Sequence, residues 1–72
     1  MMIEAKARTK VKGYRVMLGI TQEELAKNFG ISKQAYSAKE RGLTRFTNKE
    51  MIAIKELLLP LFPGITIDEI FF

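Results

Sequence analysis

The stretch "GISKQAYSAKERG", Gly30 to Gly42, decides how the rest of the chain is read. Two glycines bracket a segment of helical length built mostly from Ser, Lys, Gln, Ala and Arg. The whole chain has 72 residues. A domain near this size buries only about 60% of the surface that its unfolded form exposes. Each helix is therefore needed to cover the core. A helix this polar fits such a domain if one edge docks and the other side is kept for a hydrogen-bonding partner.

The residues just before it agree. In "TQEELAKNFG", Thr21 is a good N-cap and Glu24 follows three residues on, so the pair makes a capping box. Leu25, Ala26 and Phe29 form a short apolar face, and Gly30 closes the helix after about two turns. "GIS" is then a three-residue connection, with Ser32 capping the next helix, which runs to about Arg41. Two short helices joined through a tight Gly-containing turn form a helix-turn-helix pattern. Ala26 is small where the two helices would cross.

Further out, Ala7, Val11, Tyr14 and Leu18 recur at helical spacing and predict a first helix from about Glu4 to Leu18, ended by Gly19. Thr47 with Glu50 is a second capping box, opening a fourth helix with Met51, Ile54, Leu57, Leu58 and Leu61 as its apolar stripe. Pro60 should disturb its last turn. Pro63-Gly64 marks a turn. Thr66 with Glu69 is a third box, before a short terminal helix "IDEIFF". The pattern predicts an all-α, single-domain chain over residues 1–72, with five helices and the helix-turn-helix core at about 21–42.

Composition narrows the function. The formal charge is +4, which suits a polyanionic partner. With no Cys and no His, the chain has neither disulfides nor thiolate metal sites, nor the commonest general base. Each carboxylate has a capping, surface or pairing role to fill, and no phosphate-binding glycine loop occurs. No catalytic residue, metal site or cofactor is expected. The start, "MMIE", does not read as a secretory signal. "MIAIKELLLPLF" is too short and too interrupted to span a membrane.

The outer side of the third helix carries Ser32, Lys33, Gln34, Ser37, Ala38 and Arg41. The DNA major groove admits one helix and presents donors, acceptors and thymine methyls. Gln suits adenine, Lys suits guanine, and Ser or Ala suits either base edges or methyls. Base readout is therefore expected from Lys33, Gln34, Ser37 and Ala38. Helix N-termini favour phosphate, which points to Gln22 and Ser32.

"LGITQEELAKNFGISKQAYSAKERG" resembles the helix-turn-helix of the Cro and repressor family of DNA-binding proteins, from Leu18 to Gly42. The resemblance implies a five-helix, lambda-repressor-like fold and a sequence-specific regulator of transcription. Its recognition helix, 33–41, would lie in the major groove of a double-stranded operator, and the protein would bind as a homodimer on paired half-sites. It implies phosphate contacts from Gln22 and from the loop Gly42–Phe46, in particular Thr44 and Arg45, with Arg41 and Lys49 beside them. It also implies a structural ion pair between Arg15 and Glu40. Lys39 departs from the family pattern, standing where a large apolar residue usually seals the recognition helix. Its methylenes are expected to cover the core while its ammonium turns outward, leaving a looser seal. Tyr36 replaces an aliphatic residue, and its hydroxyl is expected at the edge.

The short length and the ending "PGITIDEIFF" resemble the small Cro-like regulators of temperate phages, of the modulator-of-repression kind. That implies a lysis/lysogeny switch in the cytoplasm of a bacterial host. It also raises an alternative, an anti-repressor that works by binding the cognate phage repressor. An antitoxin-type regulator would share the same fold. The C-terminal third holds more apolar residues than a small core needs. An oligomer or partner interface is expected around Ile52, Leu59, Phe62, Ile70, Phe71 and Phe72.

Overall fold

A computed structural model describes residues 10–72 of the chain. Its elements are α1 (Val11–Leu18), α2 (Gln22–Phe29), α3 (Lys33–Glu40), α4 (Asn48–Leu58) and α5 (Ile67–Phe71). No strand occurs among the described residues. The expected first helix is seen from Val11 onward; its predicted start, Glu4 to Thr9 with Ala7, lies outside the described residues.

Local chemistry sets the boundaries. The three capping boxes form as the sequence implies. Thr21, Thr47 and Thr66 each accept from the backbone N–H three residues on, and each donates its own N–H to the matching Glu24, Glu50 or Glu69. Ser32 caps α3 by accepting from the Ala35 N–H at 3.0 Å. The chain turns from α2 into α3 at Gly30, whose φ of 73° lies in the left-handed region. There the N–H groups of Gly30 and Ile31 bond back to the carbonyls of Lys27 and Ala26, closing the helix. Space is not the constraint at Gly30, since an added Cβ would meet nothing within 4 Å. The backbone dihedral is.

The core gathers Val11, Leu25, Ala26, Tyr36, Phe46, Ile54, Leu58, Ile65, Ile70 and Phe71. Helices α2 and α3 pair most closely, α4 packs on α5, and α5 on α1. The Lys10 N–H donates to the Ile70 carbonyl at 3.1 Å, tying the start of α1 to α5. A run of ring contacts joins Phe29, Tyr36, Phe46 and Phe71, with centroids 5.2–6.1 Å apart. Aromatic pairs at such distances add to simple burial. They fasten α3 to the loop before α4 and to the C-terminal helix.

Two expectations for the C-terminal third need correction. Ile70 and Phe71 were expected at an interface. Both are buried, Ile70 with no exposure at all, because α5 folds back beneath Phe46. Leu61, expected in the α4 stripe, is 52% exposed. Helix α4 ends at Leu58, just before Pro60, so the 3.6-residue period no longer carries Leu61 to the core.

Candidate nucleic-acid interface

Helix α3 is seated by Tyr36 and Glu40, which are buried one turn apart, as i,i+4 neighbours on one face must be. Lys33, Gln34 and Ala35 are exposed, and Ser37 and Ala38 are half-buried beside them. The hydrophilic side of α3 thus stands clear of the core.

The docking edge is polar at its centre. Glu40 Oε2 accepts from Arg15 Nε at 2.7 Å and from the Tyr36 hydroxyl at 2.8 Å. Glu40 Oε1 accepts from Gln22 Nε2 at 2.8 Å and from an Arg15 terminal nitrogen at 3.2 Å. Arg15 also donates to the Ile20 carbonyl at 2.9 Å. Three side chains from α1, α2 and α3 thus meet at one carboxylate through four donor atoms, and no buried side-chain polar atom among the described residues lacks a partner.

Ionisation follows from this geometry. Burial pushes the Glu40 carboxyl upward, but the hydrogen bonds from Arg15, Gln22 and Tyr36 outweigh it and hold the group below its ordinary value. The bond to Glu40 raises Arg15 further above its already high value, against the effect of burial. Burial first, then the neighbouring carboxylate, keeps the Tyr36 phenol protonated well beyond its usual range. The Tyr36 hydroxyl is therefore not at the edge, as the sequence suggested; it is a buried donor in the hub.

Lys39 also departs from expectation. Its ammonium does not simply turn out to water. Nζ donates to the Arg45 carbonyl at 2.9 Å and pairs with Glu50 Oε1 at 3.1 Å. With Tyr36 and Phe46 completing the core beneath, the seal that Lys39 was expected to loosen is closed.

The remaining residues of interest lie around α3. Ser32, Arg41, Thr44, Arg45 and Lys49 are exposed, whereas Gln22 is half-buried and engaged by Glu40. Arg41 Nε reaches the Ser37 carbonyl at 3.4 Å, a long contact. A shallow depression between α1 and the starts of α2 and α3 is lined by Lys12, Arg15, Gln22 and Lys33, among others. Of the expected interface residues, Ile52 is 48% and Phe72 82% exposed. Leu59 and Phe62 are half-buried and packed against the core.

Sequence reasoning missed Gln22 and Tyr36 as ligands of Glu40, and Lys39 as a staple. The spacing of Tyr36 and Glu40 was a usable signal. The Lys39–Glu50 pair had none, because it joins two helices across a loop.

No helix of the described residues is long and apolar enough to cross a membrane. Their Asp and Glu side chains form no cluster of the kind that a metal site would require. The comparison with solved structures finds no match. A family model described as helix-turn-helix matches residues 11–58. The chain is also 36% identical over 64 residues to an uncharacterized HTH-type transcriptional regulator of Methanocaldococcus jannaschii, covering 89% of each chain. Two short helices closed by a left-handed glycine, a polar third helix and a match over most of the chain have one reading: the protein belongs to the Cro/repressor-type helix-turn-helix family.

Proposed function

We propose that the protein is a sequence-specific DNA-binding regulator of transcription that inserts α3 into the major groove. One observation carries this reading. The side of α3 turned away from Tyr36 and Glu40 is hydrophilic and open, and exposed Lys33, Arg41, Arg45 and Lys49 surround it. Of the nearby carboxylates, Glu40 is buried and Glu50 is paired with Lys39, while exposed Glu23 shares the depression beside Lys33 and offsets part of the charge there. Base readout falls to Lys33, Gln34, Ser37 and Ala38. Phosphate contacts fall to Gln22, Ser32, Arg41, Thr44, Arg45 and Lys49.

The described residues span 34 × 26 × 22 Å, and α3 has 8 residues, about 12 Å of helix. One copy reads only a few base pairs. Two copies, with recognition helices about 34 Å apart on one side of the duplex, would read paired half-sites. A homodimer is the arrangement we favour, with exposed Ile52 and Phe72 as its apolar contacts.

Selection of bound sequences from random duplexes at stated salt tests the proposal, and a recurrent paired motif is expected. On the best site, Gln34→Ala or Lys33→Ala should each cost about 1–3 kcal/mol and relax one position of the preference. Arg45→Ala should weaken all sequences alike and lower the salt slope by about 1. Wild-type enrichment of no sequence, with both classes of variant binding as well as wild type, would remove the assignment.

A narrower role, in a temperate-phage lysis/lysogeny switch within a bacterial host, rests on the resemblance of the chain end alone. The anti-repressor alternative keeps part of its support: Lys39 is bonded and Ile70 and Phe71 are buried, while Ile52, Leu61 and Phe72 of the C-terminal third remain exposed. A gel shift with the protein alone and then with a cognate repressor separates the two roles.

A further inference from the structure

We propose that Lys39 is a positioning residue that holds the loop between α3 and α4 in the shape needed to grip a DNA phosphate through Arg45. This rests on the reading of Arg45 as a phosphate contact. The loop is exposed at Leu43, Thr44 and Arg45, and such a segment would ordinarily be mobile. Here it is fastened at each step. The N–H groups of Leu43 and Thr44 bond to the Ala38 carbonyl at 2.9 and 3.4 Å. Lys39 Nζ donates to the Arg45 carbonyl at 2.9 Å. Phe46 is buried between Tyr36 and Phe71. The N–H of Thr47 donates to Glu50 Oε1 at 2.9 Å, the same oxygen that pairs with Lys39 at 3.1 Å.

Lys39 and Glu50 therefore form a node that joins the end of α3, the Arg45 backbone and the first turn of α4. Both side chains are largely withdrawn from solvent, at 14% and 12% exposure. With its ammonium spent on a carbonyl and a carboxylate, Lys39 acts on DNA through the loop and not as a phosphate contact of its own. Fixing the loop beforehand reduces the ordering cost of docking, which is how pre-organisation strengthens binding. An apolar side chain at this position would cover the core equally well but would leave the Arg45 carbonyl unheld.

The test uses the full chain and a mixed-sequence duplex of about 25 base pairs at low salt, where phosphate contacts dominate. Lys39→Met and Glu50→Gln should each weaken binding about 3- to 10-fold, and both effects should vanish in an Arg45→Ala background. Glu50→Gln discriminates because it keeps a side chain able to complete the capping box while raising the net charge. If charge alone governed binding, this variant would bind more tightly. Tighter or unchanged binding by Glu50→Gln overturns the proposal, as does a Lys39→Met loss that persists without Arg45. Glu50→Gln alone decides the matter if Lys39→Met does not fold. If Arg45→Ala itself leaves wild-type affinity and salt slope intact, the phosphate reading of the loop fails first and the role of Lys39 falls with it.

Discussion

Glu40→Gln should lower folding stability by about 3 kcal/mol, the low end of the cost of breaking a buried ion pair, because the Arg15 left behind is only partly buried. A chain of this length holds roughly 4–10 kcal/mol in total, so the loss consumes much of its reserve. Thermal unfolding followed by circular dichroism should show the midpoint falling by well over 10 °C, given about 4–8 °C per kcal/mol in a domain this small. The cost arises because Arg15 keeps its charge while an amide offers only one acceptor where the carboxylate served four donors. Replacing the hub with apolar side chains, as Arg15→Met, Tyr36→Phe and Glu40→Met together, should recover most of the loss, since no buried charge then remains. A small midpoint change in Glu40→Gln, within about 0.5 kcal/mol of wild type, would mean that the hub contributes nothing net.

The same hub predicts a pH profile. The folded state holds the Glu40 carboxyl below its ordinary value, so the unfolded chain takes up that proton first as pH falls. Its contribution is complete above the unfolded carboxyl value of about 4.3 and is lost as pH drops through the lower folded value. Glu40→Gln should flatten this part of the acid limb. At the alkaline end the Tyr36 phenol is raised, so stability should hold up to about pH 10 and decline above it as the unfolded phenol ionises first. Tyr36→Phe should remove that decline, and urea titrations across the pH range would read both limbs.

Ile70→Ala should cost about 2–5 kcal/mol, as expected for a fully buried aliphatic side chain cut back to a methyl. The loss should be independent of protein concentration, because Ile70 packs within its own chain. Ile52→Asp should behave in the opposite way. At 48% exposure it should change the monomer by no more than about 0.5 kcal/mol and weaken self-association instead. Thermal melts over a hundredfold concentration range, with sedimentation at each end, distinguish core from interface. A concentration-dependent loss for Ile70→Ala would return that residue to the interface.

Much of the fold was legible because its signals are local. Three Thr-x-x-Glu boxes, Gly30 and the apolar stripes of α2 and α4 up to Leu58 depend on neighbours within a few residues, and the backbone chemistry of a helix end is the same wherever it lies. Pro60 was read as a disturbance, yet Leu61 was still counted in the stripe, because periodicity alone does not say which side of a break a residue joins. The composition of the open side of α3 was equally plain, since it follows from which residues occupy one helical face.

By itself, then, the sequence determined the capped helix starts after Thr21, Ser32, Thr47 and Thr66, the tight turn at Gly30 and the identity of the polar face on α3. Only the tertiary structure decided where Tyr36, Lys39, Ile70 and Phe71 put their side chains. Tyr36 and Lys39 are amphipathic, with an apolar body and a polar end, so whether that end meets water or a partner depends on what another element brings: Arg15 and Glu40 for one, Glu50 and the Arg45 carbonyl for the other. Ile70 and Phe71 are apolar in either reading. Burial or contact with another molecule was settled by the path of the chain after Pro63, which folds α5 back onto α1 and α4.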